Sequence, residues 1–180
     1  MLARNIVVGG MLSVSCVSAW PAGETTWDKN AKWLQERIQA CQQRAEEFAC
    51  GHFAARALNQ LFGFTEFCKG DNCLMPYEIA AEIHKDQHWT ALGQADDQKI
   101  LTQAQEMATG GLPVIAVQTS SDSGSVAIIM PGALFPSGSW DRKVPLAVGV
   151  RLDKPESSVY RSGLSYLFHE PAKVTLYAYK

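Results

Sequence analysis

Apolar residues follow a helical period from residue 27 onwards. They recur at alternating steps of four and three positions, at Trp27, Ala31, Leu34, Ile38, Cys41, Ala45 and Phe48. This spacing predicts one continuous amphipathic helix, because residues three and four apart share a helix face. Thr25, Thr26 or Asp28 can cap its first turn.

Three further helices are predicted by shorter stripes. The second begins at or near Cys50 and ends at Gly63, a residue type that commonly terminates helices. Pro76 stands where the first turn of a third helix accepts a proline. The fourth helix starts around Asp96-Asp97 and stops at Gly110-Gly111. The apolar residues of the three stripes are Phe53, Ala54, Ala57, Leu61, Phe62, Ile79, Ala80, Ile83, Ile100, Leu101 and Ala104.

The pattern changes to short strand-like runs after residue 111. We predict strands over residues 113–118, 126–130, 144–152, 164–168 and 174–179, which are separated by turn signals rich in proline, glycine and serine. Helices followed by strands predict an α+β fold with an antiparallel sheet, and the short connections favour a meander. No repeat or linker divides the chain, so we interpret residues 20–180 as a single domain.

The first 19 residues have the pattern of a secretory signal peptide. Arg4 precedes an uncharged stretch over residues 6–17, and Val17-Ser18-Ala19 provides small or modest side chains for cleavage. We therefore expect cleavage after Ala19 and a periplasmic protein. Lipidation of Cys16 is the alternative, although Ser13 stands where lipoprotein signals normally have leucine.

Charge and histidine spacing bear on partners and cofactors. The chain has 16 basic and 18 acidic residues with no basic run, which disfavours nucleic acid as a partner. After the leader, no apolar stretch is long enough to span a membrane. His84 and His88 could form half of a metal site, but no third ligand is evident in the sequence. We therefore expect no metal and no other cofactor.

Four cysteines follow the leader, and export permits disulfides between them. Cys68 and Cys73 flank the turn-forming residues Lys-Gly-Asp-Asn, which is consistent with a short bridge. Cys41 and Cys50 form a second bridge, or one of them is a working thiol. The sequence leaves both alternatives open.

Cys50 is the strongest candidate for a chemically reactive residue. It precedes Gly51 at the junction of two predicted helices. A thiol at a helix N-terminus lies near unpaired N–H groups and the positive end of the helix dipole, which favour the thiolate. Gly51 leaves space for a substrate beside it. A buried or disulfide-bonded cysteine is the commoner interpretation of such a residue.

Three stretches resemble a known family in their order and spacing. They are Cys50-Gly51-His52-Phe53, which begins a helix, residues 86–92 (DQHWTAL), and residues 124–132 (GSVAIIMPG). From about residue 38 to residue 179 the chain resembles the NlpC-like (papain-related) peptidoglycan peptidases. Within them it is most similar to the first family of type VI secretion amidase effectors, which cut peptide stems of peptidoglycan. The resemblance implies a papain-like fold and Cys50 as nucleophile.

The resemblance breaks down at the catalytic base. The family has a histidine in a Gly-His-Val-Ala pattern at the start of the second strand, and Ser125 occupies that position here. Serine cannot hold a thiolate and then protonate the leaving amine, as an imidazole does. His52 follows Cys50 by two positions on one helix and does not face it. His169, beside Glu170, is the candidate for a relocated base, although a surface histidine is the simpler interpretation.

These observations leave three hypotheses. The favoured one is a degenerate NlpC-like protein that binds peptidoglycan stem peptides or an envelope protein without turnover. The alternative is an active cysteine peptidase or amidase that uses Cys50 and a relocated base such as His169. The third is an exported structural domain in which Cys50 is bridged to Cys41. In a ligand-binding protein we expect Trp140, in the loop over residues 133–143, to contact the ligand.

Overall fold

A computed structural model describes residues 25–44, 47–119 and 124–180, so the predicted signal peptide lies outside the described residues. The helices in these ranges are α1 (Thr26–Gln42), α2 (Glu47–Gly51), α3 (Phe53–Phe62), α4 (Pro76–Ile83) and α5 (Gln98–Thr109). The strands are β1 (Cys68–Lys69), β2 (Asn72–Cys73), β3 (Trp89–Gln94), β4 (Val114–Thr119), β5 (Gly124–Ile129), β6 (Phe135–Ser137), β7 (Arg142–Val144), β8 (Leu146–Gly149), β9 (Val159–Gly163) and β10 (Thr175–Tyr179).

The central element is a six-stranded sheet with the strand order β3-β10-β4-β5-β8-β9. Every neighbouring pair in it is antiparallel. The α+β class with helices preceding an antiparallel sheet is therefore confirmed. The predicted meander holds only for β4, β5, β8 and β9, because the C-terminal strand β10 lies between β3 and β4.

Alternating side chains give the sheet two buried faces. Helices α1, α3 and α4 cover one face, where Leu34, Leu58 and Ile79 pack with Val126 and Ile128 of β5. We call this the α1–α4 face. Helix α5 covers the opposite face, the α5 face, where the buried side chains include Leu101, Ala104, Ala116, Ala127 and Ile129. A residue's position along β5 therefore decides which group of helices it meets.

Helix α1 begins as predicted but ends earlier than predicted. Thr25 and Asp28 form a capping box at its start, in which the Thr25 hydroxyl accepts a hydrogen bond from the Asp28 backbone N–H. The predicted continuation to Phe48 is wrong, because α1 ends at Gln42 and Arg44 takes a left-handed φ of 54°. A left-handed residue redirects the chain, so the helical stripe is interrupted there.

The second helix does not begin at Cys50 as predicted: Cys50 lies in the last turn of the short helix α2, and α3 starts at Phe53. The other predicted ends of the remaining helices agree with their terminal signals. Gly63 ends α3 in the left-handed conformation with φ of 76°, and Pro76 occupies the first turn of α4. Asp97 caps α5, and its side chain accepts a hydrogen bond from the Lys99 backbone N–H. These helix ends are confirmed because each depends on a local chemical preference.

Several strand assignments differ from the prediction. The predicted strand over residues 144–152 contains only the last residue of β7 and the shorter strand β8. Residues 164–168 do not form a strand, because Leu164–Tyr166 is a 3₁₀ turn that follows the strand β9. Leu164 and Phe168 are apolar because they fill the core of the α5 face. The edge strands β3 and β9 and the short strands β1, β2 and β6 were not predicted. In β3 the half-buried residues lack a clean alternating pattern.

Candidate functional site

Cys50 forms a disulfide with Cys41, which joins α2 to α1 with a Cα–Cα distance of 5.6 Å. Both residues are buried, each with 4% of its surface exposed. In this oxidised form Cys50 has no thiolate to act as a nucleophile. The bridge between Cys68 and Cys73 is also present. Two disulfides fit a protein of an oxidising compartment outside the cytoplasm.

Ser125 lies on β5, opposite Gln118 of β4. Since side chains alternate along a strand, Ser125 shares the α5 face with Ala127 and Ile129. Cys50 belongs to the cluster of the α1–α4 face. The structure therefore does not bring Ser125 together with Cys50.

Ser125 and His169 line one cleft, with a volume of about 400 Å³. The other described residues that line it are Gln118, Gly124, Arg151, Leu152, Asp153, Leu167 and Glu170. Cys50 is not among them. The structure thus brings together the position of the family base and the relocated base, but away from the proposed nucleophile.

Arg151 is the best-anchored charged group of this cleft. It follows the end of β8, and only 9% of its side chain is exposed. Its Nε and Nη2 donate to the two carboxylate oxygens of Asp153, at 3.2 Å and 2.5 Å. Its backbone N–H donates to the Ser158 hydroxyl at 3.1 Å. The hydrogen bonds from Arg151 lower the pKa of Asp153 below its ordinary value, so Asp153 stays ionised near neutral pH.

His169 completes the network through its Nε2, which lies 2.9 Å from Nη1 of Arg151. A guanidinium can only donate, so Nε2 must accept. In this contact the ring N–H is therefore on Nδ1. The lone pair of Nε2 is occupied by Arg151, which leaves it unable to take a proton from a thiol in this arrangement.

His84 and His88 are exposed and contact different tyrosine rings, Tyr177 and Tyr179. His88 Nδ1 also lies 2.8 Å from a carboxylate oxygen of Asp86. Across residues 25–44, 47–119 and 124–180, no group of three or more histidine, cysteine or acidic side chains is placed to hold a metal ion. No helix in those same ranges is long and apolar enough to cross a bilayer.

Trp140 is a core residue. It is only 4% exposed, and its Nε1–H donates to the backbone oxygen of Phe168 at 3.1 Å. The expectation that Trp140 contacts a ligand is therefore wrong. The loop over residues 133–143 is anchored by this indole, which packs in the cluster of the α5 face.

Sequence reasoning missed Arg151 and Asp153. Residues 144–152 predict a strand, and Arg151 lies inside this apolar run. An arginine in such a position is a sequence signal for a buried, paired charge. Buried arginines are normally paired, so Asp153 two positions later was its natural partner. The contact with His169, 18 positions away, has no local signal.

Searches for relatives add no family to this picture: no protein-family model matches the chain, and no curated protein matches it. The similarity to NlpC-like peptidases remains a prediction from the residues that carry it.

Proposed function

We propose that this protein is a periplasmic, NlpC-like protein of papain-like fold that binds peptidoglycan stem peptides and does not hydrolyse them. One observation carries the proposal. Cys50 is bonded to Cys41 in the cluster of the α1–α4 face, whereas Ser125 and His169 line a cleft whose described lining does not include Cys50.

A cysteine peptidase needs its thiolate and its imidazole within hydrogen-bond reach of each other. Here the sulfur of Cys50 is oxidised and buried. The lone pair of His169 accepts a hydrogen bond from Arg151. Both halves of a catalytic pair are therefore engaged elsewhere, which supports binding over turnover.

The cleft has the properties of a small-ligand site. Its volume of about 400 Å³ falls within the common range of such sites, roughly 300–1,000 Å³. Leu152 and Leu167 provide apolar wall, while Gln118 and Ser125 provide polar side chains. A peptide offers both kinds of surface, since its backbone forms hydrogen bonds and its side chains fill apolar recesses.

The proposed ligand and the proposed location are supported mainly by the sequence. The stretches over residues 86–92 and 124–132 resemble the family that acts on stem peptides. The signal-peptide pattern and the two disulfides support an exported protein. A leader of its own favours a resident envelope role over delivery by an injection machine.

The experiment is a combined turnover and binding assay on the chain from residue 20 to residue 180. Purified muropeptides are incubated with it, with and without a dithiol reductant, and products are followed by mass spectrometry. Binding of the same muropeptides is measured by calorimetry. The variants are Cys50→Ala, the matched Cys41→Ala, and Ser125→His.

We expect binding without products in all four proteins. Ser125→His gains no activity because position 125 faces away from Cys50. Reductant-dependent cleavage that disappears in Cys50→Ala but persists in Cys41→Ala would establish the active peptidase instead. An absence of both binding and cleavage would overturn both functions and leave a structural domain.

A further inference from the structure

The charged groups of the cleft are already neutralised in pairs. Both oxygens of Asp153 accept hydrogen bonds from Arg151. Glu170 accepts a hydrogen bond from Lys173 at 2.9 Å. The cleft therefore has little unbalanced negative charge to attract a cationic ligand.

Unused donors are more numerous in the cleft than unused charged acceptors. A guanidinium has five N–H donors, and Arg151 uses three of them on Asp153 and His169. Within the described part of the chain, no acceptor takes the other two. His169 adds its Nδ1–H, because its Nε2 is the acceptor in the contact with Arg151. The amide of Gln118 and the hydroxyl of Ser125 line the same cleft.

Arg151 is also rigid before any ligand arrives. Its side chain is nine-tenths buried and held by Asp153 and His169. A group fixed in this way loses little conformational entropy when it binds, so its remaining N–H groups are preorganised donors. Arginine pairs most strongly with planar, charged acceptors such as a carboxylate.

We infer that Arg151 anchors the C-terminal carboxylate of the bound peptide through its two unused N–H groups. This inference rests on the proposed function. A phosphate dianion fits less well, because Arg151, the lysine or arginine among the described residues that line the cleft, already faces the carboxylate of Asp153. A single carboxylate can be bound by the two N–H groups of Arg151 that remain unused.

The test compares two synthetic stem tetrapeptides that differ only at the C-terminus, one a free acid and the other an amide. Calorimetry at pH 7 gives their affinities for the wild-type protein, for Arg151→Lys and for the control Lys32→Gln, which removes an exposed lysine that does not line the cleft. We expect the wild type and Lys32→Gln to prefer the acid by about 10- to 100-fold, the range of a charge-assisted hydrogen bond. Arg151→Lys should lose the preference, because lysine lacks the planar fork.

The possible negative results can be distinguished from one another. Equal affinity of the wild type for the acid and the amide overturns the inference but leaves the proposed function intact. No binding of either peptide overturns the proposed function. A preference retained in Arg151→Lys places the carboxylate elsewhere. If Arg151→Lys does not fold, the Nη–H NMR signals of Arg151 in the wild-type protein decide: they should shift with the acid and not with the amide.

Discussion

Gly124 at the start of β5 lies directly against the backbone of Tyr77 in the first turn of α4. A Cβ atom at position 124 would stand 3.0 Å from the Tyr77 nitrogen and 3.1 Å from its Cα. These are backbone atoms, which cannot rotate aside as the end of a side chain can. Glycine is required here because the backbones of β5 and α4 approach each other too closely for a side chain. This contact packs α4 against the strand next to the cleft residue Ser125.

Gly124→Ala should therefore destabilise the protein. Forcing a methyl group into a packed contact costs about 1–3 kcal/mol, because helix and strand must separate slightly. Urea unfolding of the wild type and the variant measures the loss. Gly138→Ala is the matched control, because nothing lies within 4 Å of a Cβ at that position. Equal unfolding midpoints for both variants would show that α4 does not depend on this contact.

The two disulfides should contribute to stability in the order of the loops they close. Removing the Cys41–Cys50 bridge as a double alanine variant should cost about 2–3 kcal/mol, since it frees a segment with a sequence separation of 9. The bridge between Cys68 and Cys73 closes a separation of only 5, so its loss should cost slightly less. Urea unfolding under non-reducing conditions gives both values.

The single variants separate a structural cysteine from a working one. If Cys50 serves only the bridge, Cys50→Ala and Cys41→Ala should lose equal stability, because each breaks the same bond. Little or no loss of stability in either single variant under non-reducing conditions would contradict the structural role. It would mean that Cys50 is not held in the bridge in solution.

Helix ends were predictable from the sequence because their causes are local. Thr25, Gly63, Pro76 and Asp97 each satisfy or terminate a helix through their own chemistry, with no help from distant residues. The turn over residues 164–168 was not predictable in this way. Leu164 is apolar because the tertiary core of the α5 face needs it, and a short apolar run alone does not distinguish a strand from a turn.

The site was only partly predictable, for reasons of register and distance. The sequence singles out Ser125 and His169, which do line one cleft. Whether Ser125 faces Cys50 depends on the strand register, and a shift of one residue reverses the face. The partnership of Arg151 with His169 joins segments 18 positions apart, which no spacing rule reveals.

Trp140→Phe should weaken folding and leave peptide binding unchanged. The substitution removes the Nε1 hydrogen bond to Phe168 and leaves a small void in a buried position. Together these should cost about 1–3 kcal/mol. Urea unfolding and calorimetry with a stem tetrapeptide measure the two effects. Tyr166→Phe, at an exposed position, is the control and should leave stability unchanged. A loss of affinity in Trp140→Phe at full stability would mean that the indole contacts the ligand after all.

The Arg151–Asp153 pair should make stability depend on pH at the acid end. The pKa of Asp153 is lowered in the folded protein by hydrogen bonds from Arg151, whereas the unfolded chain has the ordinary value of about 3.9. A lowered carboxyl pKa means that the contribution is complete above this ordinary value. It declines as the pH falls below the ordinary value and is lost once the pH has passed through the folded one.

Asp153→Asn removes the titrating carboxylate and so provides the measurement. The difference in unfolding free energy between the wild type and Asp153→Asn should be constant from pH 7 to pH 5 and shrink below about pH 4. Urea unfolding at pH values from 7 to 2 follows this difference. Asp71→Asn, in the exposed turn between β1 and β2, is the matched control. A difference for Asp153→Asn that stays constant down to pH 2 would contradict an ionised Asp153 that accepts hydrogen bonds from Arg151 in solution. The anchor proposed for the peptide carboxylate would then lose the group that holds it in place.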